Sequence, residues 1–308
     1  MPIATPDRIT VFDRPALRAR RDRASPGTGP DFLFAEATER LLDRLADIDR
    51  RFPAALDLGC RDGALGRAIA GRGGIEFLVQ ADPSPRFVAR TAGTRLAAEP
   101  EALPFAPASF DVVLSVLLLH WVNDLPGALL QLRRALKPDG LLLVSLLAGD
   151  TLGELRECLM AAELAEEGGI SPRVSPFAEP RELGALLQRA GFAMPVVDSD
   201  RLTVTYPDAL ALMRELRLMG ESNALVERRR GFSRRATLLR AAALYGEKFG
   251  QADGRIPASF EIVTLTGWAP HPGQPQPLRP GSAAARLASA LDSTEQPAGE
   301  PTTTAKPR

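Results

Sequence analysis

An apolar run, Ala54–Leu58, passes directly into a glycine-containing turn that opens a helix. This arrangement is typical of the first unit of an open α/β sheet, which binds ligands at the carboxyl edge of its strands. Gly59 and Gly63 let the backbone approach a ligand closely and adopt positive φ, and the helix start offers free amide donors. With Gly66 they do not match the G-x-G-x-x-G spacing of dinucleotide-binding folds. A plain tight turn remains the alternative.

Short apolar runs alternate with helical patterns along the chain, which predicts an α/β fold with helices on both faces of the sheet. The predicted strands are Ala54–Leu58, Glu76–Ala81, Asp111–Ser115, Leu141–Leu147, Pro195–Thr205 and Ser259–Trp268. The predicted helices are Asp31–Asp47, Leu65–Ala70, Pro85–Ala92, Pro126–Leu136, Leu152–Glu166, Pro180–Ala190, Asp208–Met219 and Ser233–Lys248. Proline and glycine in Lys137–Gly140 predict a turn into the fourth of these strands.

The chain divides into three parts. Residues 1–30 are predicted to form an N-terminal arm, whose acidic residues distinguish its arginine-rich run from a transit peptide. Residues 31–269 form the domain, and the helical segment 206–250 within it is too long for a hairpin loop, so we expect a lobe at the sheet edge. Residues 270–308 are rich in Pro, Gly, Ser, Thr and Ala, which predicts a disordered tail.

Composition limits the classes of partner. The 38 Lys and Arg residues balance the 38 Asp and Glu residues, so no uniform basic field favours nucleic acid. The longest apolar runs, Val112–Leu119 and Leu141–Ala148, are far shorter than the roughly 20 residues of a membrane-spanning helix, and we expect no transmembrane segment. Two cysteines and two histidines, far apart in sequence, supply neither a disulfide framework nor a zinc site.

Two acidic residues follow the glycine turn in an order that suits the binding of a nucleoside. Asp82 stands at the end of the second predicted strand, where a carboxylate can accept both hydroxyls of a ribose. Glu99 precedes an apolar LPF segment and would lie beside an adenine. Taken singly, each acid is more often a solvated loop residue, but the order of the series is more specific.

This series, followed by SFDVV and LKPDG, resembles the class I S-adenosylmethionine-dependent methyltransferases. The resemblance implies a Rossmann-like, mostly parallel sheet with a helical insertion before the last strand, and S-adenosylmethionine as cofactor. It assigns cofactor contacts to Asp57, Gly59, Gly63, Asp82 and Glu99, the last standing where the family more often has Asp.

Arg61 occupies the centre of the glycine turn, where the family normally has glycine. If this position requires positive φ, a residue other than glycine costs roughly 1 kcal/mol, and its bulk would crowd the ligand. Alternatively, the guanidinium turns outward and holds the ligand carboxylate by two hydrogen bonds.

Matches beyond the cofactor motifs resemble a narrower family, the methyltransferase-like assembly factor 5 of respiratory complex I. The motifs that carry this resemblance are VFDR (Val11–Arg14), RFPAALDLGC (Arg51–Cys60), LHWVNDLPGAL (Leu119–Leu129), GDTLGELR (Gly149–Arg156), EGGISPRVSPF (Glu167–Phe177), RAGF (Arg189–Phe192), MGESNA (Met219–Ala224) and IPASFEIVTLTGW (Ile256–Trp268).

The narrower family implies a protein partner, the iron–sulfur-carrying peripheral arm subunit of complex I, with arginine hydroxylation as the activity. A related pattern belongs to the biotin-pathway enzyme that methylates malonyl-carrier protein. The resemblance places the protein in the cytoplasm of a bacterium or on the matrix side of the inner membrane of a mitochondrion, with at most peripheral membrane contact.

His120 and Trp121 directly follow the strand Asp111–Ser115 and should face the same crevice. We predict His120 as a catalytic base or acceptor, with a loop-holding histidine as the alternative. Trp121 is predicted to wall the cofactor pocket. Four later polar residues are predicted to bind substrate, because carboxylates accept paired hydrogen bonds from an arginine guanidinium. The alternative is that they cap helices or lie on the solvated surface. These are Asp150, Glu154, Glu221 and Asn223.

The sequence therefore predicts an S-adenosylmethionine-dependent, methyltransferase-like enzyme that modifies a protein side chain, with arginine as the candidate. One alternative is a non-catalytic assembly chaperone whose cofactor site has degenerated at Arg61. Another is a malonyl-carrier-protein O-methyltransferase. The basic run Arg228–Arg235 is either a solvated surface or a docking patch for an acidic partner.

Overall fold

Seven strands form one sheet in the order β3-β2-β1-β4-β5-β7-β6 in the computed structural model, which describes residues 10–25, 31–274 and 287–294. The strands are β1 Ala54–Leu58, β2 Phe77–Asp82, β3 Thr94–Ala97, β4 Phe110–Val116, β5 Leu136–Ala148, β6 Ala193–Tyr206 and β7 Ile256–Trp268. Neighbouring strands from β3 to β5 run parallel, whereas β7 is antiparallel to both β5 and β6. The predicted mostly parallel, Rossmann-like sheet with a helical insertion before its last strand is confirmed.

Helices connect the strands and cover both faces. They are α1 Arg14–Ala24, α2 Phe32–Ala46, α3 Ala64–Ala68, α4 Pro85–Val88, α5 Leu125–Ala135, α6 Gly153–Glu167, α7 Pro180–Arg189, α8 Ala209–Met219 and α9 Arg235–Phe249. A further short helix, α10 Leu287–Ala290, belongs to a separate unit of the chain. Local sequence sets several starts: Asp124 caps α5 by accepting a 2.8 Å hydrogen bond from the Gly127 amide, and Pro126 occupies the first turn.

The core consists of two apolar layers, one on each face of the sheet. Side chains alternate between these layers along each strand, so that Val112 and Leu114 of β4 pack on one face and Val113 on the other. Helices α2, α6, α8 and α9 cover the first face, and α5 and α7 cover the second. With both faces buried, the loops at the carboxyl edge of the strands are the part free to carry a site.

Three local features differ from the sequence expectation. The short edge strand β3, mostly exposed, was not predicted, because its TRLA sequence has no apolar run. The predicted turn at Lys137–Gly140 lies within β5, whose Asp139 adopts φ 62°. The described part of the predicted N-terminal arm contains helix α1, which packs beside α4 and α8 in one unit with the domain.

The segment predicted as a lobe contains α8, a loop and α9. Its ends are held by the β6–β7 hairpin, in which Tyr206 pairs with Ile256. Tyr245 of α9 donates a 2.8 Å hydrogen bond from its hydroxyl to the Pro257 carbonyl, which fixes the helix against β7.

The described residues beyond His271, 272–274 and 287–294, belong to a separate unit. Much of the predicted tail, 275–286 and 295–308, lies outside the described residues, as do 1–9 and 26–30 of the predicted arm. None of the helices described is both long enough and apolar enough to cross a bilayer.

Candidate active site

The turn between β1 and α3 has the glycine conformations that the sequence predicts. Gly59 has φ 93°, and a Cβ there would lie 2.8 Å from the Leu118 side chain. Gly63 has φ 81° and is the residue that precedes α3. Both positions therefore require glycine.

Asp57, at the end of β1, is a buried carboxylate without a partner. It is 1 % exposed, and neither of its oxygens accepts a hydrogen bond from any described residue. Burial, followed by the charge of Asp82, raises the pKa of Asp57 well above its usual value. Such a group indicates a missing donor, because buried polar groups in folded proteins are normally hydrogen-bonded.

Arg61 adopts φ 50°, so the glycine-turn position does require the left-handed region. Its guanidinium lies 3.6 Å from the ring centre of Phe34 and 4.7 Å from that of Phe87. Nη1 donates a 3.0 Å hydrogen bond to the Met219 carbonyl, at the end of α8. Burial and the neighbouring charge of Arg21 lower the pKa of Arg61 to about 10. The side chain is thus engaged with the insertion.

Asp82, the predicted ribose ligand, already accepts four hydrogen bonds. Arg21 of α1 donates from Nε to Oδ1 at 3.2 Å and from Nη2 to Oδ2 at 2.5 Å. The amides of Ser84 and Arg61 donate to Oδ1 at 2.8 Å and to Oδ2 at 3.1 Å. Burial alone would lower the pKa of Arg21, but Asp82 more than reverses this effect, and the net shift is upward. The carboxylate is therefore fully engaged with the chain's own donors.

The two acids beyond β3 are paired in the same way. Arg18 of α1 forms an ion pair with Glu99, the predicted adenine neighbour. Arg14, also on α1, pairs with Glu101, which is almost completely buried. Helix α1 therefore covers the acids at this edge of the sheet.

His120 and Trp121 lie in the 3₁₀ turn that follows β4, and both contact Glu221. Trp121 donates from Nε1 to Glu221 Oε2 at 2.9 Å, and His120 Nε2 lies 3.2 Å from the same oxygen. The Leu147 amide donates to His120 Nδ1 at 3.4 Å, which assigns the ring proton to Nε2. Burial raises the pKa of Glu221, but the hydrogen bond from His120 and the charges of Arg21 and Arg61 outweigh burial, so the net shift is downward.

A cavity of about 220 Å³ opens beside Glu221, between the sheet and the insertion. Its walls are mostly apolar and include Leu147, Leu155, Leu159, Phe177, Met213 and Leu216. Glu221 Oε1 accepts no hydrogen bond from any of the residues described. The cavity therefore combines mostly apolar walls with one ionised carboxylate, Glu221, and one guanidinium, Arg173, whose charge is paired with Glu163.

Basic side chains surround a depression next to this cavity. The depression contains Arg20, Arg173, Arg228, Arg229 and Arg230, and it shares Arg173, Ser222, Asn223 and Ser233 with the cavity lining. We call this set of five arginines the arginine rim. Some of its charge is balanced: Arg173 pairs with Glu163 at 2.7 Å and Arg228 with Asp13 at 2.8 Å.

The predicted substrate residues separate in the structure. Glu221 and Asn223 line the cavity, although Asn223 already binds the Pro172 carbonyl and the Leu225 amide. Asp150 is an exposed residue that pairs with Arg156. Glu154 accepts hydrogen bonds from Ser259. Neither Asp150 nor Glu154 lines the cavity.

The arginines of α1 were missed in the sequence. Arg14, Arg18 and Arg21 are spaced to share one helix face, and Asp13 with Pro15 forms a helix start. That pattern could have predicted a basic helix face, but not the acids that it meets.

The turn residues fit the methionine end of S-adenosylmethionine. Asp57 offers a carboxylate that no described residue binds, and Gly59 and Gly63 adopt positive φ in the turn that follows it. At the nucleoside end the acids are present, but Arg21 occupies the oxygens of Asp82 that ribose hydroxyls would need.

Known proteins match both the sequence and the fold of this chain. Residues 56–144 match the family described as a methyltransferase domain. The chain is 42 % identical over 283 residues to the mitochondrial arginine-hydroxylase NDUFAF5 of Danio rerio, covering 89 % of this chain and 88 % of that protein. It is 34 % identical to a malonyl-[acyl-carrier protein] O-methyltransferase of Methylovorus sp. (strain MP688), covering 84 % and 90 %.

The structure of Bacillus subtilis YcgJ superposes with a TM-score of 0.54 at 14 % identity, covering 77 % of this chain and 99 % of that one. This similarity supports the fold alone. The identity to NDUFAF5 extends across the glycine turn, the cavity and the insertion. The chain therefore belongs to the methyltransferase-like assembly factor 5 (NDUFAF5) family, within the class I S-adenosylmethionine-dependent methyltransferases.

Proposed function

We propose that this protein is an enzyme that binds S-adenosylmethionine and modifies an arginine side chain of a partner protein. The observation that carries the proposal is the apolar cavity beside Glu221. A long aliphatic stem with a cationic end matches such a channel, because the stem replaces water on apolar walls and the charge meets a carboxylate.

Glu221 is prepared to receive a guanidinium. Trp121 and His120 bind Oε2 and so fix the orientation of the carboxylate, which leaves Oε1 for the substrate. The lowered pKa of Glu221 keeps this group ionised at neutral pH. In this arrangement His120 is a positioning residue that acts through Glu221, and its predicted role as a base remains a prediction.

The proposed cofactor supplies an electrophilic methyl group on sulfonium, and the protein then needs mainly to align the acceptor. Asp57 would hold the ammonium group, and the backbone at Gly59 and Gly63 would lie against the methionine portion. Arg61 of the glycine turn donates to the Met219 carbonyl, two residues before Glu221, so the glycine turn and the cavity adjoin. The relative named arginine-hydroxylase makes insertion of an oxygen atom the competing outcome, and that reaction would need an added oxidant, such as dioxygen together with a two-electron reductant.

The arginine rim supports a protein substrate with acidic residues near its target arginine. Arg20 and Arg230 line the depression next to the cavity, and burial together with the charges of Arg228 and Arg23 lowers the pKa of Arg20 to about 10. Acidic residues beside the target arginine of the substrate would reduce the mutual repulsion of the rim arginines. The family motifs suggest the iron–sulfur-carrying peripheral arm subunit of complex I as the partner, in the bacterial cytoplasm or on the mitochondrial matrix side.

The two alternative functions give different expectations. A malonyl group would bring its carboxylate towards ionised Glu221, and this repulsion disfavours the carrier-protein reaction. A non-catalytic chaperone is favoured by one observation, the Arg21–Asp82 pair at the nucleoside end.

The experiment incubates the protein and S-adenosylmethionine separately with an arginine peptide that has acidic flanks, with a lysine-flanked control and with malonyl-carrier protein, and a pull-down measures binding of the partner protein. Mass spectrometry then measures whether a modified arginine gains a methyl group or an oxygen atom. Preferential modification of the acid-flanked peptide supports the proposal. Methylation of malonyl-carrier protein alone, or binding of the partner without any modification, would replace it with the corresponding alternative.

A further inference from the structure

Three arginines on one face of α1 meet three acids at the carboxyl edge of the sheet. Arg14, Arg18 and Arg21 follow the i, i+4, i+7 spacing that places side chains on one face of a helix. Their partners are Glu101, Glu99 and Asp82 respectively. Asp82 and Glu99 are the two acids that the cofactor motifs assign to ribose and adenine.

The contact at Asp82 excludes simultaneous binding of a ribose. A carboxylate offers about four acceptor positions, and Asp82 uses them for two guanidinium and two amide donors. Arg21 is 1 % exposed and also lies over the Phe87 ring at 5.5 Å, so its guanidinium fills space beside the acid. Ribose hydroxyls can therefore reach Asp82 only when Arg21 leaves.

We propose that α1 is a latch that occupies the nucleoside subsite with its own arginines and must move outward before an adenosyl cofactor binds. This inference rests on the cofactor assignment of the proposed function. It makes the conformation described here the closed state of the site.

The contacts that hold α1 allow such a movement. Its apolar residue Leu17 belongs to a small cluster with Phe12, Trp121 and Leu225, separate from the two main core layers. The chain before α1 is fixed by Asn123, whose Oδ1 accepts from the amides of Val11 and Phe12 at 2.8 Å and 2.7 Å. The latch can thus open without disrupting the sheet.

Two residues, one just before the start of α1 and one in its second half, connect this helix to the arginine rim, and the second of them, Arg20, is itself a rim residue. Asp13, which caps α1, pairs with Arg228. Arg20 donates a 3.1 Å hydrogen bond to the Ser222 carbonyl, beside Glu221. An acidic segment bound at the rim would compete with Asp13 for Arg228, and the partner would then favour the open state.

The test is calorimetric titration with S-adenosylhomocysteine of the full chain and three variants. Arg21→Ser removes the competing guanidinium. Asn123→Ser weakens the anchor of the arm but leaves the Arg21–Asp82 pair in place, so it covers the case in which Arg21→Ser fails to fold. Arg23→Ser, at an exposed position on the same helix, is the matched control.

We expect both latch variants to bind S-adenosylhomocysteine about tenfold more tightly than the wild type, because the closed state reduces apparent affinity by the fraction of open molecules. Arg23→Ser should bind like the wild type. Hydrogen exchange of the α1 amides in the wild type should increase when the ligand saturates the site.

Equal affinity in all four proteins, or weaker binding by Arg21→Ser and Asn123→Ser, would refute the latch and leave the cofactor assignment intact. If no folded variant bound the ligand, the cofactor assignment would fail, and the latch would fail with it. Protection of the α1 amides that stays constant or rises on ligand binding would also refute outward movement.

Discussion

Replacing Glu221 by glutamine tests the carboxylate at the end of the cavity. The two donors, Trp121 and His120, both bind Oε2, and a glutamine oxygen can accept from them without leaving a buried donor unpaired. The amide nitrogen would then face the cavity in the place of Oε1. The fold should therefore persist while the substrate guanidinium loses its acceptor and meets a second donor.

The expected loss follows from the strength of a charge-assisted hydrogen bond. Such bonds contribute about 1.5–3 kcal/mol, which corresponds to roughly a tenfold to 140-fold weaker affinity. The assay is a titration of the acid-flanked arginine peptide, together with KM and kcat for its modification. The loss should be found in the Kd of the peptide, because Glu221 is the acceptor for its guanidinium, and kcat reports separately how far the same contact acts on the reacting group.

Glu166→Gln is the matched control, since Glu166 is an exposed carboxylate on α6 outside the cavity lining. It should leave peptide affinity unchanged. If Glu221→Gln bound the arginine peptide as tightly as the wild type, the guanidinium would not lie at Glu221, and the reasoning from the cavity to an arginine substrate would be refuted.

Three further changes test other parts of the site. Burial raises the pKa of Asp57, so the contribution of Asp57 to the free energy of unfolding falls as the pH rises above the ordinary aspartate range. Asp57→Asn should therefore unfold at a higher temperature than the wild type at pH 8, and the difference should vanish near pH 4. A difference in melting temperature that stays constant with pH would contradict the assignment. Arg230→Glu should weaken partner binding and flatten its salt dependence in pull-downs at increasing ionic strength, and unchanged salt dependence would remove the rim from the docking surface. Arg61→Gly relieves about 1 kcal/mol of backbone strain but loses the ring contacts and the hydrogen bond to Met219. Chemical denaturation should therefore show a free energy of unfolding lower by about 2 kcal/mol. A variant more stable than the wild type would show that the strain is the larger contribution.

The sequence was sufficient for the sheet and the glycine turn because both depend on local patterns. The sequence shows directly the apolar strands, which are runs of β-branched residues and leucine, and it shows the glycines that need positive φ. Edge strand β3 left no such record, since its TRLA sequence is mostly exposed and depends on pairing with β2.

The candidate site was only partly predictable, because its contacts join distant segments. Glu221 and His120 were both singled out, but their hydrogen bond spans 101 positions, and no local spacing encodes it. Arg21 and Asp82 are likewise separated by 61 positions. Asp150 and Glu154 have the same side-chain chemistry as Glu221, and only the packing of the insertion decides which carboxylate reaches the cavity.

The pairing of Tyr206 with Ile256 has a consequence for the diversification of this fold. An antiparallel hairpin holds both ends of the insertion next to each other, so the segment between them can be replaced without altering the sheet. Residues 207–255 contain Glu221 and three of the five rim arginines, whereas Asp57, Gly63 and Asp82 belong to the invariant scaffold of such a swap. Transplanting this segment between a carrier-protein methyltransferase and the present chain would exchange Glu221 and the three rim arginines in one contiguous stretch, while cavity walls outside it, such as Leu147 and Phe177, would stay unchanged.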